Sequence, residues 1–323
     1  MKKILPIIAF AVFLIVGYFI LDSLLFDGVK SRSINQDGFQ ADYFALDSTK
    51  NKPAVVLIGG GYSGEYWGSE FAKRGFVGLS LPYTGKEGLP NLPEDIPLEY
   101  FEKALQWLKI QPEVDPNKII VMGASRNAEL TLVIASTFPE MVSGAVAFAP
   151  SSVSWSNTVI PYNSDDLKPS WTYRGKAVPF IAMEKLKGST KEKLDLLTYW
   201  NSGLGKSEFQ ESAAIKVERI NGPILLFSGK DDAVWPSVKM ANRIEQRLEI
   251  NDFAYSFQNI QYENAGHLIS RNPENDNDTK ERFGKMRLDG KDYTFSFGGT
   301  QEGDNLAKKD AKKKVILFLE RLE

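Results

Sequence analysis

The chain has 323 residues, of which 43% are hydrophobic, so it is long enough to bury one large α/β core or two small ones. Its 39 basic and 41 acidic residues give a formal net charge of −2, which provides no electrostatic reason to expect a nucleic-acid partner. Because there is no cysteine and only one histidine, disulfides, thiolate nucleophiles and cysteine-rich or histidine-rich zinc sites are excluded. We expect neither a metal nor another cofactor, since no motif for a carboxylate-only metal site is present.

An uncharged apolar run lies near the N-terminus, where the 18 residues from Ile4 to Leu21 follow Lys2 and Lys3. At about 1.5 Å per residue, this run can cross a hydrocarbon core of about 30 Å. Bulky side chains stand where a signal-peptide cleavage site needs small ones, so residues 1–26 are predicted to be an uncleaved transmembrane signal anchor. The two lysines favour a cytoplasmic N-terminus, which would put the rest of this single-pass chain outside the cytoplasm. Residues 27–35 are predicted to be a linker.

From residue 36 to residue 323, strand-like apolar runs alternate with helix-like stretches. This alternation predicts one α/β domain with a mostly parallel central sheet flanked by helices. The predicted strands are 53–61, 76–82, 118–123, 143–150, 222–229 and 254–262. The predicted helices are 65–75, 96–111, 128–138, 236–250 and 303–322. Residues 151–220 break the alternation and are interpreted as an inserted, cap-like excursion.

The stretch GASRN (123–127) connects a predicted strand directly to a predicted helix, with Ser125 at the apex of the turn. On a parallel sheet, such an elbow can expose a serine nucleophile if small residues flank it. Gly123 and Ala124 fit this pattern, whereas Asn127 stands where the second glycine of GxSxG is usual. The turn alone leaves open whether Ser125 is a nucleophile or an ordinary turn serine.

Ser125 needs a base and an orienting acid, because a serine hydroxyl is by itself a weak nucleophile. Asp232 follows the strand at 222–229, and His267 follows the strand at 254–262, which gives the chain order serine, acid, histidine. His267 is predicted to be the general base and then the general acid, with Asp232 fixing its tautomer. Asp231 is the alternative acid.

The backbone amides of Gly61 or Tyr62, together with that of Arg126, are predicted to form an oxyanion hole. The motif GGGYSGEYW (59–67) follows a central strand, and its glycines allow the backbone to approach a ligand closely. The alternative is that these glycines only form a tight turn. The side chain of Arg126 is interpreted as either contacting substrate or pointing to solvent.

Four other side chains have more than one interpretation. The tryptophans of the excursion, Trp155, Trp171 and Trp200, could line an acyl pocket or only pack in a core. Glu129 is predicted to be a first-turn helix residue that the helix dipole favours, rather than an acid catalyst.

Several stretches together resemble the C-terminal catalytic domain of the acyl-CoA thioesterase and bile acid-CoA:amino acid N-acyltransferase family, which has an α/β-hydrolase fold. The matching stretches are GGGYSGEYWGSEFAKRGFVGLSLPY, GASRNAELTLVIAS, APSSVSW, LFSGKDDAVWPS, NAGHLI and FGGTQEGDNLAKKDAKKKVILFL. They span roughly residues 52–322. The resemblance implies a triad of Ser125, Asp232 and His267.

The resemblance also implies a reaction class. The amidating branch of the family uses a cysteine nucleophile, so Ser125 is similar to the hydrolytic branch and favours water as the acyl acceptor. The first hypothesis is therefore a membrane-anchored serine hydrolase that cleaves acyl thioesters through an acyl-enzyme. The alternatives are a carboxylesterase or lipase-like enzyme acting on extracytoplasmic esters, and a catalytically silent binding protein with Asn127 as a mark of decay. The sequence does not predict the oligomeric state.

Overall fold

A computed structural model of the chain describes residues 12–17, 29–157, 166–206, 211–275 and 280–322. Its strands are, in chain order, β1 (Arg32–Gln36), β2 (Phe39–Phe44), β3 (Lys52–Ile58), β4 (Val77–Leu81), β5 (Ile96–Pro97), β6 (Val114–Ala124), β7 (Ala145–Phe148), β8 (Trp171–Tyr173), β9 (Lys176–Ala177), β10 (Ile224–Gly229), β11 (Phe257–Tyr262), β12 (Phe283–Leu288) and β13 (Lys291–Ser296). Its helices are α1 (Gly61–Lys73), α2 (Glu99–Lys109), α3 (Arg126–Thr137), α4 (Leu196–Leu204), α5 (Ser237–Ile250) and α6 (Gln301–Glu320).

Eight of the strands form the central sheet, in the order β1-β2-β4-β3-β6-β7-β10-β11. Strands β4, β3, β6, β7, β10 and β11 pair in parallel, while β2 pairs antiparallel with both β1 and β4. The predicted α/β fold with a mostly parallel sheet is therefore confirmed. Each of the six predicted strands corresponds to a strand of this sheet. The predicted helix at 65–75 begins earlier, at Gly61.

Helices cover both faces of the sheet, which explains why its central strands are apolar almost throughout. Along β3, Ala54 and Val56 face an apolar cluster that includes side chains of α2, α3 and α5. The alternate residues Val55 and Leu57 face a second cluster with side chains of α1 and α6. This alternation follows from the two-residue period of a strand.

The predicted excursion at 151–220 lies between β7 and β10 and contains β8, β9, α4 and a 3₁₀ helix at Val217–Arg219. Its apolar side chains form a third cluster, which also includes residues from the loop after β10 and from the β12–β13 hairpin. The members of this cluster are Val153, Trp155, Ile181, Met183, Leu194, Leu196, Trp200, Leu204, Ala213, Trp235, Met240, Met286, Leu288 and Tyr293. The excursion is therefore a packed layer above one end of the sheet.

Three groups of strands were not predicted. A small sheet of order β5-β8-β9 pairs Ile96–Pro97 with the excursion, so the predicted helix at 96–111 begins only at Glu99. The antiparallel pair β1–β2 forms one edge of the sheet, so the predicted linker at 27–35 overlaps a strand from Arg32 onward. The β12–β13 hairpin lies between the histidine loop and α6, where no element was predicted.

Of the predicted anchor at 1–26, only residues 12–17 are described, and they are helical. The remainder of this predicted span lies outside the described residues. No helix within the described ranges is long and apolar enough to cross a bilayer.

Candidate active site

Ser125 lies between the end of β6 and the first residue of α3, at a sharp turn of the backbone. Its φ of 60° and ψ of −125° are strained for a residue with a side chain. The Ser125 amide donates to the carbonyl of Phe148 at 2.9 Å, which ties the turn to β7. A Cβ at Gly123 would collide with the backbone carbonyl of Asn127, so the tight elbow requires glycine there. A serine at such a strained strand-to-helix turn is the geometry that the predicted elbow requires.

The loops after β10 and β11 bring an acid and an imidazole to the same end of the sheet as Ser125. Nε2 of His267 lies 3.0 Å from Oγ of Ser125. Nδ1 of His267 lies 2.9 Å from Oδ2 of Asp232. When Nδ1–H donates to the carboxylate, Nε2 is left with the lone pair that can accept the serine proton. The three side chains therefore form a continuous path for one proton.

Backbone amides and burial fix the carboxylate of Asp232. Its second oxygen, Oδ1, accepts hydrogen bonds from the amides of Val234 at 2.9 Å and Trp235 at 3.2 Å. The side chains of Asp232 and His267 are only 3% and 8% exposed, so little water competes for their hydrogen bond. Asp231, the alternative acid, is exposed.

The predicted oxyanion donors lie at the beginnings of two helices. Gly61 and Tyr62 begin α1, and Arg126 begins α3 directly after the serine. Amides in the first turn of a helix have no carbonyl partner four residues earlier within that helix. Gly60 and Gly61 have φ values of 58° and 62°, which curve the chain between β3 and α1. The role of the Gly61, Tyr62 and Arg126 amides as oxyanion donors remains a proposal.

The side chain of Arg126 does not point into solvent, which was one of its two interpretations, because the residue is only 9% exposed. Its guanidinium forms an ion pair with Glu129 through Nη1, and Nη2 donates to Oγ of Ser170 at 2.6 Å. Glu129 is 0% exposed and accepts from the amide of Trp155 at 3.0 Å and from Nε1 of Trp171 at 2.8 Å.

The prediction that Glu129 is an ordinary first-turn helix residue is therefore too simple. Burial raises the pKa of the Glu129 carboxyl, against the opposing effects of Arg126 and of the two N–H donors. The Arg126–Glu129 ion pair connects the start of α3 to two segments of the excursion, one at Trp155 and one at Ser170 and Trp171. The sequence pattern alone did not indicate this role, because both residues are polar and lie at the start of a helix.

A cavity of about 260 Å³ opens beside Ser125 and His267. Its other lining residues are mainly apolar and come from the start of α3, from α4, from the loop after β10, and from the hairpin and the residue after it: Arg126, Leu196, Trp200, Val234, Trp235, Lys285, Met286, Phe295 and Phe297. Of the three tryptophans considered as pocket residues, only Trp200 lines this cavity. Trp155 and Trp171 are buried in packing contacts at 0% and 1% exposure.

A second cavity, of about 360 Å³, lies on the α1 side of the elbow. Gly60, Tyr62 and Asn127 are among its lining residues. Oδ1 of Asn127 accepts a hydrogen bond from the hydroxyl of Tyr83 at 2.8 Å, and the carboxamide packs against Gly59. Asn127 thus occupies space beside the glycine loop that a glycine at this position would leave empty.

Comparison with curated proteins identifies related sequences. The chain is 30% identical over 245 residues to acyl-coenzyme A thioesterase 1 of Rattus norvegicus, covering 75% of this chain and 54% of that protein. It is also 30% identical over 246 residues to acyl-coenzyme A thioesterase 1 of Homo sapiens, covering 75% and 55% respectively. The chain therefore spans about half the length of the curated relatives it matches.

Comparison with solved structures identifies the fold. A dienelactone hydrolase-like promiscuous phosphotriesterase from metagenomic libraries superposes with a TM-score of 0.51 at 14% identity, covering 91% of this chain and 99% of that one. An esterase from the Planctomycetes species Thermogutta terrifontis gives a TM-score of 0.51 at 14% identity, covering 92% and 93%. The fold is that of the α/β hydrolases.

A family model described as "BAAT / Acyl-CoA thioester hydrolase C terminal" matches residues 96–322. This range includes Ser125, Asp232 and His267, and it covers most of the chain. The chain belongs to the BAAT / acyl-CoA thioester hydrolase C-terminal family.

Proposed function

We propose that the protein is a serine hydrolase that cleaves acyl thioesters through an acyl-enzyme on Ser125. The observation that carries the proposal is the pair of contacts that His267 makes, 3.0 Å to the Ser125 hydroxyl and 2.9 Å to the Asp232 carboxylate. Membership of a family that includes acyl-CoA thioesterases supports the choice of thioesters as substrates.

In the first half-reaction, Nε2 of His267 takes the proton of Ser125 as Oγ attacks the acyl carbonyl carbon. The resulting imidazolium is stabilised by Asp232. When the tetrahedral intermediate collapses, the carbon–sulfur bond breaks and the imidazolium proton passes to the thiolate. In the second half-reaction, His267 takes a proton from water, the hydroxide attacks the acyl-serine, and Ser125 regains its proton as the free acid leaves.

The carbonyl oxygen gains negative charge in both half-reactions, and the backbone N–H of Arg126 with that of Gly61 or Tyr62 would stabilise it. Each donor of an oxyanion hole is typically worth about 2.7–4 kcal/mol in the transition state. The acyl chain would occupy the 260 Å³ cavity, because its lining residues Trp200, Trp235 and Met286 offer apolar contacts directly beside the nucleophile.

A serine-reactive fluorophosphonate and a substrate panel together test this proposal. We expect the probe to label the wild-type chain and to leave Ser125→Ala unlabelled. The same two proteins are then given acyl-CoAs and simple oxygen esters with matched acyl groups. Thioester hydrolysis should fall by about 10⁶-fold in Ser125→Ala, since loss of a triad serine has an effect of this size.

Ser136→Ala is the control, because Ser136 lies on α3 directly after the elbow and its hydroxyl donates a hydrogen bond to the carbonyl of Val133 at 3.1 Å, within the same helix. It should label and hydrolyse like the wild type. Hydrolysis of the oxygen esters with none of the acyl-CoAs would replace the thioesterase proposal with a carboxylesterase or lipase-like activity. A folded wild-type chain that neither labels nor hydrolyses any substrate would support the catalytically silent binding protein.

We also propose that the apolar run from Ile4 to Leu21 anchors the chain in a membrane. The described part of this run supports the proposal, because it is helical and its apolar side chains are exposed, including Phe13 at 71% and Leu14 at 54%. Extraction of membranes with alkaline carbonate should leave the full chain in the pellet and release a Phe13→Lys, Leu14→Lys variant. Release of both proteins alike would contradict the anchor.

A further inference from the structure

We propose that Asp304 and Arg282, which no sequence motif assigned to the site, are positioning residues for His267 and Asp232. Together with the turn at Phe297–Gly299 they form a clamp that sets the distance between the base and the acid. This inference rests on the proposed function, since it concerns how the same triad is held.

The first half of the clamp acts directly beside the histidine. Oδ1 of Asp304, in the first turn of α6, accepts a hydrogen bond from the amide of Gly266 at 2.6 Å. Gly266 immediately precedes His267, so this bond fixes the peptide from which the imidazole extends. The next amide, that of His267 itself, donates to the carbonyl of Phe297 at 2.8 Å.

The second half of the clamp joins the same turn to the acid. Asp232 and Gly298 form an antiparallel bridge, and the amide of Asp231 donates to the carbonyl of Ala265 at 2.9 Å. The acid loop and the histidine loop thus bond to each other directly, and the segment Phe297–Gly299 contacts the backbone of both. Gly298 has a φ of 80°, and a Cβ there would collide with the carbonyl of Asp231, so only glycine permits this approach.

Arg282 connects the two halves. Its Nη1 forms an ion pair with Oδ2 of Asp304, and its Nη2 donates to the carbonyl of Gly298. The Asp304 side chain is 0% exposed and that of Arg282 is 20% exposed, so solvent screens the pair only weakly. The Asp304 carboxylate therefore makes two connections. Its Oδ1 holds the histidine loop, and its Oδ2, through Arg282, holds the turn that contacts the acid loop.

Such a clamp matters because proton transfer depends steeply on the distance between donor and acceptor. A displacement of about 1 Å by a change away from the reacting atoms can lower the rate about 10²-fold. Asp304 and Arg282 do not line the proposed acyl cavity, whereas Phe297 of the clamp does. Substitution of Asp304 or Arg282 leaves the Phe297 side chain in place and should therefore lower kcat more than it changes KM.

The test compares Asp304→Asn with Glu218→Gln, a matched control. Glu218 forms a bidentate ion pair with Arg247, at 2.6 and 2.8 Å, whose side chains are 18% and 21% exposed. Arg247 lies about three helical turns along α5 from its beginning near the acid loop. Both variants exchange a paired carboxylate for an amide, but only one of these pairs touches the triad loops.

The first readout is kcat per active site, with the sites counted by fluorophosphonate titration. Asp304→Asn should lose on the order of 10²-fold in kcat per site. Glu218→Gln should keep the wild-type kcat per site, even if its unfolding temperature falls as far as that of Asp304→Asn. Arg282→Met should lose kcat as well, and Arg282→Lys should recover part of that loss because it retains the charge.

The second readout does not depend on turnover. Because the chain has a single histidine, the imidazole signals of ¹⁵N-labelled, tag-free protein belong to His267 alone. The Nδ1–H proton that bonds to Asp232 should give a downfield signal in the wild type and in Glu218→Gln. In Asp304→Asn this signal should shift or disappear.

The two readouts separate the failure of the clamp from the failure of the enzyme. Equal kcat per site and an unchanged imidazole signal in Asp304→Asn would overturn the clamp while leaving the hydrolase proposal intact. A wild type without activity would refute the hydrolase, and the imidazole signals would still decide whether Asp304 positions His267.

Discussion

The central sheet and the layer above it contribute different things to the site. The ends of β6, β10 and β11 supply the serine, the acid and the histidine. The excursion and the β12–β13 hairpin supply most of the walls of the cavity beside them. Under the proposed function, the reacting groups would follow the strands of the sheet, whereas the layer that covers them would select the acyl group.

Among the changes that test this division, the largest effect is expected from replacing the acid in the loop after β10. Asp232→Asn should lower kcat by about 10⁴-fold, because an amide in place of the carboxylate favours the wrong tautomer of His267. The loss should be the same factor for every acyl chain length, which steady-state kinetics over a series of thioesters would check. Asp231→Asn serves as the control, since Asp231 is exposed, and should retain wild-type kinetics. A loss that varied strongly with chain length would break the proposed division between sheet and layer.

The next effect concerns the ion pair that joins the two regions. Glu129→Gln should destabilise the protein by about 3–5 kcal/mol, because it leaves the buried Arg126 guanidinium without its charged partner. Urea unfolding would measure this change. Glu102→Gln is the control, since Glu102 is also a first-turn glutamate, on α2, but is not fully buried. If both variants were equally stable, the link between elbow and excursion would contribute little.

A smaller effect should appear when the cavity wall is changed. Trp200→Phe enlarges the cavity beside Ser125, so the preference between long and short acyl groups should shift by about tenfold in kcat/KM. Trp107→Phe is matched to it, because Trp107 is a buried tryptophan that packs against Phe39 and Tyr43 instead. An equal preference in both variants would mean that the acyl group binds elsewhere.

The smallest effect concerns the departure from the family elbow. Asn127→Gly removes the acceptor of the Tyr83 hydroxyl and should cost about 1 kcal/mol of stability. Tyr83→Phe breaks the same bond from the other side. The two changes should be less than additive in a double-mutant cycle of unfolding free energies. Full additivity would indicate that the bond does not contribute.

The same division explains how far the sequence could be interpreted. Strands β3 and β10 and the second half of β6 are predictable because both of their faces are buried, which makes them continuous apolar runs. Ser125 and Asp232 follow such runs, and His267 is a candidate because it follows the half-exposed β11 and is the single histidine of the chain. Their roles remain proposals until the variants are measured.

The layer above the sheet was not predictable in the same way. Trp155 and Trp200 pack against each other, Trp200 also packs against Trp235, and Trp171 packs against Tyr83; both Trp235 and Tyr83 lie outside the excursion. Glu129 and Asp304 look like ordinary first-turn acids, and only the tertiary fold buries them against Arg126 and Arg282. In the β12–β13 hairpin, β12 alternates exposed and buried residues but β13 does not, and neither strand is a continuous apolar run.

The β12–β13 hairpin carries cavity side chains at Met286 and Phe295, and it continues into Phe297, whose carbonyl holds the amide of His267. Under the proposed function, mutations that remodel this hairpin to admit a new acyl group would therefore also disturb His267. Leu196 and Trp200 on α4 line the same cavity, but α4 does not accept the His267 amide. Natural or laboratory selection for new substrates should accordingly accumulate changes on α4 and spare the hairpin.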